Sequence, residues 1–284
     1  MKKRMLVFLL CLLSVPAFAG THAKKHSLEI AYEHSNYTYR EPGLMKLSGP
    51  KNGVSVSYLM RSVLSADFNS EDTSFAMLDF RYMDGDTKYD GGYMNWDGTI
   101  TPYSEGGLDD YYFEAAFKLG KSFELASPLT LYPYFGIGWR QLRNHMDELA
   151  SGGYQRTQTY LYIPFGAQVE WDIAPVFTLT FKGEADWMVY GNNNSELVGG
   201  YSVYDRDSVS FHQSQGYGLR VSAKGQVNLN KIGLFIEPFF RYWHIQNSEE
   251  VWFYWGGDPS SPALSMVEPK NNTKEYGIRL GIAF

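Results

Sequence analysis

The last eleven residues, Lys274 to Phe284, alternate without a break. Tyr276, Ile278, Leu280, Ile282 and Phe284 fall on one face of an extended strand, and Glu275, Gly277, Arg279, Gly281 and Ala283 on the other. Successive side chains of a strand point to opposite sides, so the pattern predicts one apolar wall and one polar wall. The same period recurs upstream. Leu129, Leu131, Phe135, Ile137 and Trp139 oppose Thr130, Tyr132, Tyr134, Gly136, Gly138 and Arg140. Leu161, Ile163, Phe165, Ala167, Val169 and Trp171 oppose Tyr160, Tyr162, Gly166, Gln168, Glu170 and Asp172. Phe177, Leu179, Phe181, Ala185, Trp187 and Val189 oppose Thr178, Thr180, Lys182, Glu184 and Asp186. Each apolar face runs about ten residues, the length a tilted strand needs to cross bilayer hydrocarbon. Pro133 and Pro164 lie inside these runs, where each removes a ladder donor.

Ten strands are predicted in this way, near 27–39, 53–63, 73–84, 109–124, 129–145, 156–172, 176–190, 208–229, 232–246 and 273–284. Short connections at 124–128, 172–175 and 228–231 alternate with long ones at 40–52, 85–108, 191–207 and 247–272 and a shorter one at 146–155. An even strand number with short turns at one end and long loops at the other defines the expected fold. It is all-β: a ten-stranded antiparallel transmembrane β-barrel with short periplasmic turns and long extracellular loops. No composition break divides the chain, so 20–284 is read as one barrel domain.

Composition sharpens this. Residues 1–19 read as a cleaved signal peptide, with Lys2, Lys3 and Arg4 before an apolar core and Ala17-Phe18-Ala19 as the cleavage site. Cys11, the only cysteine, lies inside that segment, so the mature chain has no disulfide, thiol nucleophile or cysteine metal site. Aromatics are 17% of the chain, with 22 Tyr and 28 Gly, while mean hydropathy is −0.32. Tyr and Gly abundance without apolar 20-mers fits a barrel and not a helical membrane protein. The net charge of −6 includes the three signal-peptide cations, which leaves the mature protein more acidic and excludes a nucleic-acid partner.

The ending "YGIRLGIAF" resembles the C-terminal signature of Gram-negative outer-membrane barrels. That resemblance implies the cell outer membrane, with outer-membrane lipid and lipopolysaccharide as neighbours. The chain also resembles the small uncharacterised and opacity-type surface barrels, a class that implies adhesion or envelope roles. An extracellular protein or glycan is the expected partner, a monomer the expected state, and no cofactor or metal is expected.

Strand parity turns Glu29, Glu33, Glu114, Glu184 and Glu275 into the lumen together with Arg81, Lys118, Arg140, Arg220, Arg241 and Arg279. Charges of both signs in near-equal number predict internal ion pairs. A ten-stranded barrel is only slightly wider than the eight-stranded kind that side chains fill, so a polar plug is expected in preference to a porin channel. Function then falls to the loops. The stretch 84–107 is acidic, but it lacks a complete calcium-loop motif and reads as solvated. The stretch "VWFYWGG" places Trp252, Phe253, Tyr254 and Trp255 in a row, either as a binding surface or as part of an aromatic girdle.

Ten strands and five outer loops resemble the omptins, outer-membrane endopeptidases with a water held between an Asp pair and an Asp–His pair. The resemblance implies Asp84 and Asp86 of "MDGD" as the first pair. The loop after the seventh strand, "YGNNNSELVGG", has neither Asp nor His. Asp207 and His212 are the nearest substitutes, with parity turning His212 inward, whereas His34, His145 and His244 face outward. A general base needs hydrogen-bond reach to the attacking water and a partner to orient it. The catalytic set is incomplete, and binding is the expected role.

Overall fold

Alternation of the C-terminal kind organises nearly the whole chain into one antiparallel sheet. The computed structural model describes residues 26–62, 73–94, 99–196, 208–254, 257–261 and 263–284. Residues 1–19, expected to be a signal peptide, lie outside them. The strands are β1 (His26–Glu41), β2 (Met45–Arg61), β3 (Ser74–Met94), β4 (Ile100–Lys121), β5 (Phe123–Ala126), β6 (Leu129–His145) and β7 (Gln155–Ala174). They continue with β8 (Phe177–Glu196), β9 (Ser208–Gln213), β10 (Gly216–Leu229), β11 (Ile232–Ile245), β12 (Val251–Tyr254), β13 (Ala263–Met266) and β14 (Asn271–Ala283).

Two of these prolong others. β5 continues the line of β4 along β6, and β9 and β10 both pair with β8 as one interrupted strand. β12 and β13 form a separate hairpin. Ten barrel strands remain, in the predicted order, and β14 pairs with β1 to close the cylinder. Within the cylinder closure leaves no free edge, as a lipid environment requires of strands.

Two predicted long loops are largely sheet, and a third begins as sheet. The connection expected at 40–52 is a turn at 42–44, because β2 begins at Met45. β3 and β4 extend through most of 85–108, and β8 runs on to Glu196. The physical reason is an inversion of polarity along single strands. Within the membrane belt, β1 turns Ile30 and Tyr32 outward and Glu33 and Ser35 inward. Higher up, the same inward parity carries Tyr37 and Tyr39, and the outward side carries Asn36 and Arg40. Lipid demands an apolar exterior, and water demands a polar one. The protruding sheet therefore builds an ordinary apolar core from Tyr37, Tyr39, Leu47, Met83, Leu108 and Leu142. A bulge at Gly107 (φ 87°), between the pairs Thr87–Leu108 and Lys88–Gly106, adjusts β4 to this extension.

The abundance of Tyr and Gly has a packing cause. A Cβ at Gly138 would collide with the ring of Tyr162 on the neighbouring strand, and one at Gly281 with the ring of Phe235. Inward glycines give floor space to inward aromatics of the next strand. Rings therefore lie against the barrel wall.

Candidate functional site

Inward positions bring the charged residues into one connected network. At the periplasmic end Lys224 of β10 meets Glu29 of β1. Arg279 approaches Glu29 at 4.0 Å and Glu33 at 3.3 Å, and binds Glu237. Glu33 also takes Arg81 at 3.1 Å and Arg241 at 2.8 Å. Arg81 leads to Glu114 at 3.1 Å, where Arg140 at 3.4 Å and Arg220 converge. Arg220 binds Asp186 at 2.6 Å, and Lys118 binds Glu184 at 2.6 Å and Asp79 at 2.9 Å.

Several partners stand on opposite walls. Arg220 of β10 reaches Glu114 of β4, and Tyr112 of β4 donates to Glu275 of β14 at 2.8 Å. Such bonds cross the lumen. A cavity of about 50 Å³, lined by Asp79, Glu114, Lys118, Glu184 and Arg220 among others, remains between them. It has room for water. Buried charges each cost several kcal/mol unless paired, and here the interior carboxylates have cationic partners.

Tyr37, Tyr112, Tyr160 and Trp243 lie above this network, all buried. A second polar set follows at the outer mouth. Lys51 donates to Asp110 at 2.8 Å, and Asn144 donates to the other oxygen of Asp110 at 2.6 Å. Arg156 donates to Asn144 at 3.4 Å and, through Nη1, to Glu41 at 2.5 Å and Glu268 at 3.0 Å. Gln158 of β7 donates to Tyr39 of β1 at 3.0 Å, again across the lumen. Two cations thus face three carboxylates. Burial pushes the carboxyl of Glu268 up to about 7, Arg156 opposing and Glu41 adding to the rise.

Of the residues named for the omptin-type site, Asp84, Asp86 and His212 are described, and all three face outward. Asp84 and Asp86 occupy the outward parity of β3, opposite to buried Met83 and Thr87. They stand within paired strand and not at a loop entrance, and Asp84 shares a hydrogen bond with Asp109 of β4. His212 also faces outward, contrary to the expectation, with its ring 5.3 Å from that of Tyr190. The break between β9 and β10 reverses the side-chain parity: Val209, Phe211 and Gln213 are inward below it in sequence, and Arg220 above it. Asp207 lies outside the described residues.

The aromatic run is divided as well. Trp252 is 48% exposed, whereas Phe253 is 2% exposed and packs with Val209, Phe211, Val251 and Met266. Tyr254 is half-buried, and Trp255 lies outside the described residues. Alternation along β12 therefore makes Phe253 an anchor and Trp252 a presented ring. Outward Tyr–His pairs on other strands share asparagine partners. Tyr32 donates to Asn52 at 2.6 Å and His34 contacts the same oxygen at 2.8 Å. Tyr242 and His244 do the same to Asn272, both at 2.7 Å.

No protein-family model matches the chain, and no curated protein matches it in sequence. Solved structures do. The outer membrane protease OmpT from Escherichia coli aligns over 94% of this chain and 98% of its own, with a TM-score of 0.56 and 9% identity. The translocator domain of the autotransporter NalP from Neisseria meningitidis covers 92% of this chain and 90% of its own, at 10% identity and TM-score 0.42. Ail, the attachment invasion locus protein of Yersinia pestis, covers 92% and 99%, at 11% identity and TM-score 0.32. The fold is that of a closed ten-stranded outer-membrane β-barrel, similar in its layout to OmpT. At 9% identity the likeness concerns the fold alone.

Proposed function

We propose that the protein is a monomeric surface protein of the Gram-negative outer membrane, with a plugged lumen and an outer hairpin that makes adhesive or envelope contacts. The lumen-crossing ion pairs, which leave a cavity of about 50 Å³, are the observation that carries this reading. A pathway for solutes needs width that these side chains occupy. Activity then belongs to what projects into water, and β12–β13 exposes Trp252, Leu264 and the following Val267 on a paired stem. Exposed aromatic and aliphatic groups on an anchored hairpin suit a protein or glycan partner. Lipopolysaccharide surrounds the tyrosine–histidine girdle. The omptin-type peptidase alternative has no support from geometry, since Asp84, Asp86 and His212 all point away from the lumen.

Val251 and Met266 are cross-strand neighbours, so 252–265 can be replaced by a short Gly–Ser link without moving the barrel strands. This variant is expected to assemble normally and to lose whole-cell binding in a screen against matrix proteins and glycans. Undiminished binding by the shortened protein places the contact surface elsewhere.

A further inference from the structure

We infer that Glu268 is a protonation-operated latch: it holds the β12–β13 hairpin in the barrel mouth in acid and loosens it as pH rises. Glu268 follows β13 closely in sequence and is buried, although it belongs to a loop that otherwise exposes Leu264, Ser265 and Val267 or leaves them half-covered. Its backbone is tied to the other stem of the same loop. Ser248 donates its N–H to the Glu268 carbonyl at 3.0 Å, and the Glu268 N–H donates to Ser248 Oγ at 2.8 Å. A movement of the Glu268 side chain is therefore transmitted to both arms of the hairpin.

The electrostatic fault lies in the count of partners. One guanidinium nitrogen, Arg156 Nη1, serves both Glu41 and Glu268. Lys51 is engaged by Asp110, which also takes Asn144. Around Glu268 stand Arg156, Tyr154 and Tyr160 from the β7 side, Glu41 and Tyr39 from β1, and Asn193 from β8, with Tyr89 of β3 beyond Tyr154. Among the described residues Arg156 is the cation that acts on Glu268, and burial keeps the tyrosines neutral. Two ionised carboxylates would leave one uncompensated negative charge in a buried site, and a proton on Glu268 removes it.

The direction of the effect follows from linkage. In the closed hairpin Glu268 holds its proton up to about pH 7, whereas its ordinary value in water is 4.5. The closed state therefore binds the proton more tightly than the open one. Closure is fully favoured below about pH 4.5, weakens as pH rises, and levels off above about 7. Packing of Phe253 on Val209 and Phe211 does not titrate, so it sets the baseline on which the latch acts.

The inference rests on the hairpin being the working surface, but its test reads loop order and not binding. Amide exchange at Trp252, Phe253 and Leu264 is measured in detergent-folded protein at pH 5.5 and 8.5, with intrinsic rates divided out. Opening is expected to be about thirtyfold more frequent at pH 8.5, the ratio that follows from proton affinities of 4.5 and 7. Glu268→Gln removes the titration and should show equal opening at both pH values. Glu41→Gln leaves Arg156 a single carboxylate, so opening at pH 8.5 should fall to the level seen at 5.5. Heat-shifted gel mobility verifies the barrel in each variant. A flat wild-type profile, or the wild-type slope retained in both variants, overturns the latch and leaves the contact surface itself to the shortened-hairpin experiment.

Discussion

Replacing Arg220 by alanine is expected to lower stability by about 3–5 kcal/mol, because it leaves the buried carboxylate of Asp186 without a partner. Arg220 is the meeting point of Glu114 from the opposite wall with Asp186 and Glu184 from the adjacent strand. Glu114 keeps Arg81 and Arg140, but Asp186 has no other ion pair among the described residues. The uncompensated carboxylate carries most of the cost. Arg143 provides the contrast: its guanidinium lies 3.9 Å from Glu196 and is partly solvated. Arg143→Ala is expected to cost no more than about 1 kcal/mol, the range of an exposed pair. Urea unfolding in detergent or lipid vesicles measures both. Equal midpoint shifts for the two variants would mean that the interior network does not hold the barrel.

The second large effect concerns the outer wall. Leu280 faces outward midway along the apolar run from Tyr276 to Phe284, between Ile278 and Ile282, and is 48% exposed in the isolated chain. Leu280→Arg is expected to cost about 2–4 kcal/mol, the penalty of a cation near the bilayer midplane. Asn36 faces outward above the belt, beside Tyr276 on one neighbouring strand and Pro50 on the other. Asn36→Arg is expected to cost only about 0–1 kcal/mol, as at a membrane interface. The difference between the two sites, measured as vesicle-folded unfolding free energies, locates the belt. Similar values would place the apolar wall outside hydrocarbon.

The sequence makes the belt legible because lipid imposes one rule on every strand there. Apolar residues at Tyr276, Ile278, Leu280 and Ile282, with charge and glycine between them, admit no other parity. The lumen follows by subtraction, and Glu33, Glu114, Arg140 and Arg241 are inward and buried on that parity. The outer extension was not legible for the opposite reason. Above the belt the polarity inverts, so a stretch such as Met45–Lys51 reads as a loop to a rule tuned to apolar exteriors. Its own signal was present, since Met45, Leu47 and Lys51 are all inward. Arg156 lies at the start of a predicted strand and on its inward parity, so pattern alone can find it. Glu268 is different. It sits in a loop, and only the fold brings it to Arg156 across 112 residues. His212 was misplaced because an interruption between β9 and β10 leaves no mark that a period-2 count can register. Phe253 and Trp252 look equivalent in the sequence and separate only when Val209 and Phe211 provide the wall that one of them meets.

Single-channel recording in planar bilayers tests the central claim, a barrel closed by its own side chains, most directly. Arg220, Glu114, Arg241 and Tyr112 bridge opposite walls, and a cavity lined by Glu114, Arg220 and Arg241 measures about 50 Å³. Purified protein is expected to insert without a steady conductance, at most with rare small openings, whereas porin-like barrels leave an aqueous channel. A stable, large conductance in every inserted molecule would contradict the closed lumen and make transport, not surface contact, the function of this protein.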